Sequence, residues 1–260
     1  MNNGGFLGVN KQNDLTVGMN NPDKDYLYHS DDYVPNTHVW SVSSAGTAYI
    51  YTPLPLVSYP LTILVWLKLV NNGTSARTVV FNDSSYNNIT WYLTWNNFFA
   101  CANTSVGHST FTAAVNNWHC YVTVQTEINS CSGYVDGQSQ PNLGSTGTQS
   151  TGGVAAGMFS IGSRAGVTPF NGYIAAYAIW DKVLTSGEIH DIYNNGQPTR
   201  NLNRNFGNYQ SAENLKGWWL PCDAVWNGSY FEVYNRSNYG GSMGKSYNMT
   251  SGQLITTNLP

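Results

Sequence analysis

The run Leu61-Thr62-Ile63-Leu64-Val65-Trp66-Leu67-Lys68-Leu69-Val70 decides the fold class. Leu61, Ile63, Val65, Leu67 and Leu69 fall on one side of an extended chain, with Thr62, Trp66 and Lys68 on the other, so the period is two and the segment is a strand. One face is predicted to meet the core and the other to be partly wet. No apolar run in the chain is longer. At ten residues, broken by Thr62 and Lys68, it has about half the length that a membrane-spanning helix needs.

Outward from this strand, from Trp40 to Ile179, the same period recurs in short runs separated by Gly, Asn, Ser and Pro, the pattern of an all-β sandwich or barrel. Further strands are predicted at Trp40–Ser43, Ala48–Thr52, Arg77–Phe81, Ile89–Trp95, Ser109–Ala113, Trp118–Thr126, Gly133–Asp136, Met158–Gly162 and Gly172–Trp180. Tyr121–Gln125 and Gly133–Val135 flank the polar turn Thr126–Ser130 and read as a hairpin. One helix is predicted over Thr185–Tyr193, with Thr185 or Ser186 as N-cap, Glu188 in the first turn and Asn194-Asn195-Gly196 as its stop. Residues 139–153 form a loop of Asn, Ser, Thr and Gly. Residues 1–36 hold few apolar residues and several breakers, among them Gly4-Gly5, Gly18 and Asn21-Pro22, and read as an N-terminal arm on a body of residues 37–260.

Of the 260 residues 10% are charged and 14% aromatic, the inverse of a disordered composition. The net charge is -3 with no run of like charge, so neither nucleic acid nor an anionic membrane is an expected partner. The N-terminus lacks a basic segment followed by an apolar stretch, so no secretory signal is expected. Cys101, Cys120, Cys131 and Cys222 show no metal spacing and are expected as free thiols. The Asn-x-Ser/Thr triplets are read as chance in so Asn-rich a chain.

Phe170-Asn171-Gly172-Tyr173-Ile174, running through Ala178-Ile179-Trp180-Asp181-Lys182-Val183-Leu184 to Ser186-Gly187-Glu188-Ile189 and Tyr193-Asn194-Asn195-Gly196, resembles the closing strand and helix of laminin-G-like, concanavalin A-like jelly rolls. Trp118-His119 with Tyr134-Val135-Asp136-Gly137 is similar to that family's central hairpin, and Leu61–Lys68 to its long early strand. The resemblance covers about residues 40–197 and implies a two-sheet jelly-roll sandwich. Two departures stand out. Ala175 and Ala176 occupy positions where the family often carries an acidic pair. Leu215-Lys216-Gly217-Trp218-Trp219-Leu220, which resembles the family's first strand, stands near the C-terminus, so residues 213–260 are expected to complete the sheet. With the ending Ser251-Gly252-Gln253-Leu254-Ile255 this arrangement resembles a version found in virion proteins of tailed bacteriophages. That implies a protein made in the host cytoplasm and carried on the virion surface as a capsid decoration, head-fibre or tail-fibre module.

Glucanases of this fold need two carboxylates about 5–10 Å apart. The four glutamates, Glu127, Glu188, Glu213 and Glu232, have no second carboxylate two or four residues away on a predicted strand. The five histidines show no ligand spacing and accompany no nucleophile elbow, and His119 is expected to pack at a strand start. A non-enzymatic protein without cofactor or metal is therefore expected. Tyr86, Trp91 and Trp95, with Asn82, Asp83 and Asn88, combine flat rings with short polar side chains and form the candidate glycan site, although Trp91 and Trp95 share a strand parity with Leu93 and are read first as filling the sandwich interior. Asp83 alone is too few carboxylates for calcium. The aromatic-rich stretch Trp218–Tyr239 is read as sheet packing, with a protein-contact patch as the alternative. Phe6, Leu7, Tyr26, Tyr28, Tyr33, Ala175 and Ala176 are the candidates for assembly. Tyr26, Tyr28 and Tyr33 are expected to dock on the chain's own domain and the first twenty residues on partner subunits. The expected partners are other capsid or fibre subunits, within a homo-oligomeric assembly, and host-surface glycans. A carbohydrate-active hydrolase and a stand-alone lectin are the alternatives.

Overall fold

The computed structural model describes residues 33–43, 47–53, 59–70, 77–81, 89–93, 98–102, 106–108, 115–127, 130–145, 159–163, 170–241 and 243–260. These residues form two antiparallel sheets and one short α-helix, the concanavalin A-like jelly-roll sandwich. In chain order the strands are β1 (Val39–Val42), β2 (Tyr49–Thr52), β3 (Leu61–Leu69), β4 (Arg77–Phe81), β5 (Ile89–Leu93), β6 (Phe98–Ala102), β7 (Val106–His108), β8 (Trp118–Glu127), β9 (Ser130–Val135), β10 (Gln138–Ser139), β11 (Asn142–Ser145), β12 (Phe159–Ile161) and β13 (Gly172–Trp180). Helix α1 (Ser186–Tyr193) follows, then β14 (Leu215–Trp219), β15 (Val225–Trp226), β16 (Phe231–Val233), β17 (Gly244–Tyr247) and β18 (Leu254–Ile255). The first sheet runs β10-β9-β8-β3-β13-β1-β18, with β14 also on β13, and the second β11-β7-β6-β5-β4-β12-β2-β17-β16-β15.

The early strand β3 is paired along its length with β8 on one side and β13 on the other. Its odd-numbered residues face the second sheet and join Ile50, Phe159, Ile161, Tyr177, Trp219 and Phe231 in the core between the sheets. Tyr177 and Trp219 stack at 4.9 Å between centroids, and Phe159 reaches across at 6.1 Å from Trp219. Gly217 makes room for this stack, because a Cβ there would overlap the Trp219 ring. Gly172, in the Phe170-Asn171-Gly172 motif, similarly has no space for a Cβ beside the Lys68 carbonyl and the Phe170 ring.

The other face of β3 corrects the expectation of a partly wet surface. Thr62, Leu64 and Trp66 are buried and only Lys68 is half-exposed. The cause is a second apolar layer, in which Ile189 and Ile192 of α1, Leu202, Tyr209 and Leu220 cover the outer face of the first sheet, to which β14 contributes Leu215 and Trp218. Tyr193 stacks on Trp66 at 5.7 Å, while the Trp180 indole donates to the Tyr209 hydroxyl at 2.9 Å and that hydroxyl donates to the Leu202 carbonyl at 2.9 Å. A charge-poor chain builds this layer because it has enough aromatic and aliphatic surface to bury both sides of one sheet.

Helix α1 starts and stops where its local chemistry dictates. Thr185 is the N-cap of a capping box, its Oγ1 accepting from the Glu188 N–H at 3.2 Å while the Glu188 carboxylate accepts from the Thr185 N–H at 2.8 Å. Asn194 closes the helix in the left-handed conformation. The strand expected at Ser109–Ala113 lies outside the described residues, and the nearest described strand is β7. Strands β15 to β17 were not anticipated. Among the described residues no helix is long and apolar enough to cross a membrane.

Candidate functional site

Strands β2, β16 and β17 are neighbours in the second sheet, so their alternation decides what this end of the sandwich shows to solvent. Ile50, Thr52, Phe231, Val233, Gly244 and Ser246 point inward and are buried. Tyr49, Tyr51, Glu232, Lys245 and Tyr247 therefore point outward. Tyr230 and Tyr234, flanking β16 with the same parity as Glu232, extend the same side.

Register brings these residues into contact. Tyr247 is paired with Tyr49, and Lys245 with Tyr51 on one side and Glu232 on the other. The Tyr49 and Tyr247 rings stack at 4.8 Å with planes 7° apart, and Tyr51 meets Tyr247 edge-on at 6.3 Å. The Lys245 ammonium lies 3.9 Å above the Tyr230 ring and 5.3 Å from that of Tyr247. A cation over the faces of two tyrosines is held by their quadrupoles while keeping N–H groups for a ligand.

Glu232 differs from Lys245 in that both its oxygens are occupied. Oε2 accepts from the Tyr234 hydroxyl at 2.8 Å and Oε1 from the Asn227 amide at 3.2 Å. Asn227 is itself fixed, since its Oδ1 accepts from the Ser229 and Tyr230 N–H groups at 3.1 Å each and so sets the turn that delivers Tyr230 to the face. Partial burial and the neighbouring phenols raise the Tyr49 hydroxyl above its ordinary range, burial and Tyr247 do the same to Tyr51, and the Glu232 hydrogen bond raises Tyr234. All three stay protonated at neutral pH and serve as paired donors and acceptors. Glu232 is the single carboxylate on these three strands, so they hold no acid–nucleophile pair.

Of the candidate glycan site, Asn82, Asp83, Tyr86, Asn88 and Trp95 lie outside the described residues. Trp91 is on β5, paired with Val80 and Ala100 in the second sheet. Phe6, Leu7, Tyr26 and Tyr28 also lie outside. Tyr33 bridges to Arg200, whose guanidinium donates to the tyrosine hydroxyl at 2.9 Å and sits 4.8 Å from the ring centre. Ala175 and Ala176 are buried in the outer layer. A bulge between Ile174 and Ala176 turns both alanines to that side, and the Asn36 amide donates to the Ala175 carbonyl at 2.9 Å. The strand face left uncharged by these two alanines is thus covered by the chain's own residues.

His119 Nδ1 donates to Asp136 Oδ2 at 2.7 Å, and the same carboxylate accepts from the Cys120 N–H at 2.9 Å, which closes the β8–β9 hairpin end. Cys120 and Cys222 are free thiols, both raised by burial. No group of three or more metal-ligating side chains occurs among the described residues. Sequence reasoning missed the tyrosine face. Its signal was the pair Tyr49 and Tyr51 flanking Ile50, together with Lys245 and Tyr247 flanking Ser246.

A family model, the concanavalin A-like lectin/glucanases superfamily, matches residues 43–190, more than half of the chain. The chain belongs to this superfamily. Among solved structures it is similar to a Bacteroides ovatus protein proposed to bind carbohydrate, with a TM-score of 0.57 and 12% identity over 82% of this chain and 59% of that one. It is also similar to a heptameric SAP-like pentraxin from Limulus polyphemus, with a TM-score of 0.50 and 14% identity over 80% of this chain and 97% of the other. The chain thus spans a little under two thirds of the Bacteroides protein, and at these identities the likeness is one of fold. No curated protein sequence matches it. The superfamily match ends at residue 190, before β14 to β18.

Proposed function

We propose that this lectin-fold protein is a non-catalytic carbohydrate-binding module that takes glycan on its tyrosine face. The observation that carries this reading is the outward group of Tyr49, Tyr51, Tyr230, Tyr234 and Tyr247 around the Lys245 ammonium. Saccharides present apolar C–H faces and a dense rim of hydroxyls. Ring faces pack on the former, while neutral phenols and an ammonium match the latter. The Bacteroides protein of similar fold supports the same class of ligand. With Glu232 engaged on both oxygens and no second carboxylate on its strands, binding without bond cleavage is the chemistry this face supports.

The setting we propose is the surface of a virion. Its support is the resemblance of residues 215–255 to tailed-phage virion proteins. There the arm of residues 1–36 would engage capsid or fibre subunits of a homo-oligomeric assembly, and the tyrosine face a host-surface glycan. A glycan array probed with the full chain, followed by reducing-end detection on every hit, tests the function. Saturable binding with no released reducing ends is expected. Release of reducing ends would identify a hydrolase instead, and an array without hits would end the carbohydrate reading.

A further inference from the structure

A concavity apart from the tyrosine face is built entirely from residues beyond the superfamily match. It holds about 610 Å³, within the ~300–1,000 Å³ typical of small-molecule sites, and shares no residue with the tyrosine face. Its walls come from residues 203–215 and from Asn238 and Tyr239. Three amides lock these walls together. The Asn203 side chain donates to the Arg236 carbonyl at 2.8 Å and accepts from the Asn238 N–H at 2.8 Å, so it is fully engaged. Asn205 Oδ1 accepts from the Ala212 N–H at 3.2 Å, and Gln210 Nε2 donates to the Gly207 carbonyl at 3.0 Å. Behind the wall the buried Glu188 carboxylate accepts from the Gln210 N–H at 3.1 Å and from the Ser211 hydroxyl, which ties this segment to the start of α1.

Asn205 and Gln210 each leave the other end of the amide for a ligand. Asn205 Nδ2 is a donor, while Gln210 Oε1, Asn238 Oδ1 and the exposed Glu213 carboxylate are acceptors, and none has a protein partner among the described residues. Tyr239 supplies a half-exposed ring. The Lys216 ammonium sits 4.7 Å from that ring's centre and is itself held by Asp181 at 3.0 Å, so the ring is braced and the charge is paired. The basin lining contains a carboxylate and no cation.

We propose that this basin is a second saccharide site, specific for uncharged sugars. The inference rests on the carbohydrate reading above and adds a separate site to it. Hydroxyl groups donate to the Glu213, Gln210 and Asn238 oxygens and accept from Asn205, while a pyranose face packs on Tyr239. A sugar bearing a carboxylate is repelled by Glu213, with no cation in the lining to offset it. Two aromatic-bearing sites on one chain would raise the avidity for a polymeric glycan without new contacts.

Titration calorimetry of the full chain tests this with neutral gluco-, galacto- and manno-oligosaccharides and with oligogalacturonate. The wild type should bind a neutral oligosaccharide at two sites, and Tyr239→Ala and Tyr247→Ala should each remove one. Glu213→Gln should weaken neutral-sugar binding about three- to tenfold, because a charged acceptor becomes a neutral one, while raising oligogalacturonate affinity at least fivefold in a Tyr247→Ala background. If Tyr247→Ala removes all binding and Tyr239→Ala none, the basin is not a sugar site and the tyrosine-face reading stands. If Tyr239→Ala removes all binding and Tyr247→Ala none, the basin stands and the tyrosine face falls. If neutral sugars bind neither site, both are wrong. Oligogalacturonate binding to the wild-type basin as tight as that of neutral sugar would overturn the specificity.

Discussion

Replacing Glu188 by glutamine cuts the joint between helix α1 and the wall of the basin. The residue is 3% exposed, and its carboxylate accepts from the Thr185 N–H at 2.8 Å, the Gln210 N–H at 3.1 Å and the Ser211 hydroxyl. Glutamine keeps one acceptor oxygen and turns the other into an NH2 donor. Either the Thr185 N–H or the Gln210–Ser211 pair must then face a donor. A hydrogen bond to a charged group contributes about 1.5–3 kcal/mol, and a buried donor left without a partner costs a further ~1 kcal/mol, so the loss is about 2–4 kcal/mol. For a chain of this size that corresponds to a fall in Tm of roughly 5–15 °C, readable by differential scanning fluorimetry. Acidity supplies a second readout. Burial on its own raises the carboxyl's pKa, but the hydrogen bonds from Ser211, Thr185 and Gln210 outweigh it and hold the carboxyl below its reference value of 4.5. A depressed folded value means the stabilisation is complete above about pH 4.5 and is lost as the pH falls through the folded value below it. The gap between wild type and Glu188→Gln should therefore be widest at neutral pH and close in acid. A Tm change under about 1 °C at pH 7, or a gap that persists unchanged through the acid range, would refute this account.

Thr185→Ala removes only the hydroxyl half of the capping box and should destabilise by about 1 kcal/mol, less than Glu188→Gln, as measured by urea unfolding. Enlarging the side chain with Ala176→Glu should destabilise by about 1–3 kcal/mol, because the position is 3% exposed beneath the outer layer and the added bulk must be fitted beside Arg200, which lines the same small cavity, and wild-type Tm would contradict the covered face. Peptide mapping after native alkylation should find Cys222 modified and Cys120 untouched until the chain unfolds, since Cys120 is fully buried and Cys222 partly exposed. Equal native labelling of both would place Cys120 wrongly.

The strands readable from the sequence are those whose apolar runs are bounded by turn residues. Arg77–Phe81 and Gly172–Trp180 match their predicted limits, and α1 was readable because Thr185, Glu188 and Asn194 act within a few residues of one another. The outer layer was not. Burial of Leu64 and Trp66 depends on Leu202 and Trp218, far along the chain, and no local period reports such partners. Strands β15 to β17 have two, three and four residues, too short for a period to stand out from aromatic loop composition. The tyrosine face escaped for the same reason, because Tyr49 and Tyr247 meet only through the β2–β17 register. In the stretch Trp218–Tyr239 packing was the correct reading for Trp218, Trp219 and Phe231, whereas Tyr234 and Tyr239 are exposed.

The central claim is that glycan binds the tyrosine face. It is tested most directly by titrating the array-selected glycan into a Tyr239→Ala background, with and without Tyr49→Ala and Tyr247→Ala together. Removing the stacked pair should weaken binding at least tenfold, about 1.4 kcal/mol, while the variant stays folded with a Tm within a few degrees. An affinity within twofold of the background, in a folded protein, would contradict the claim.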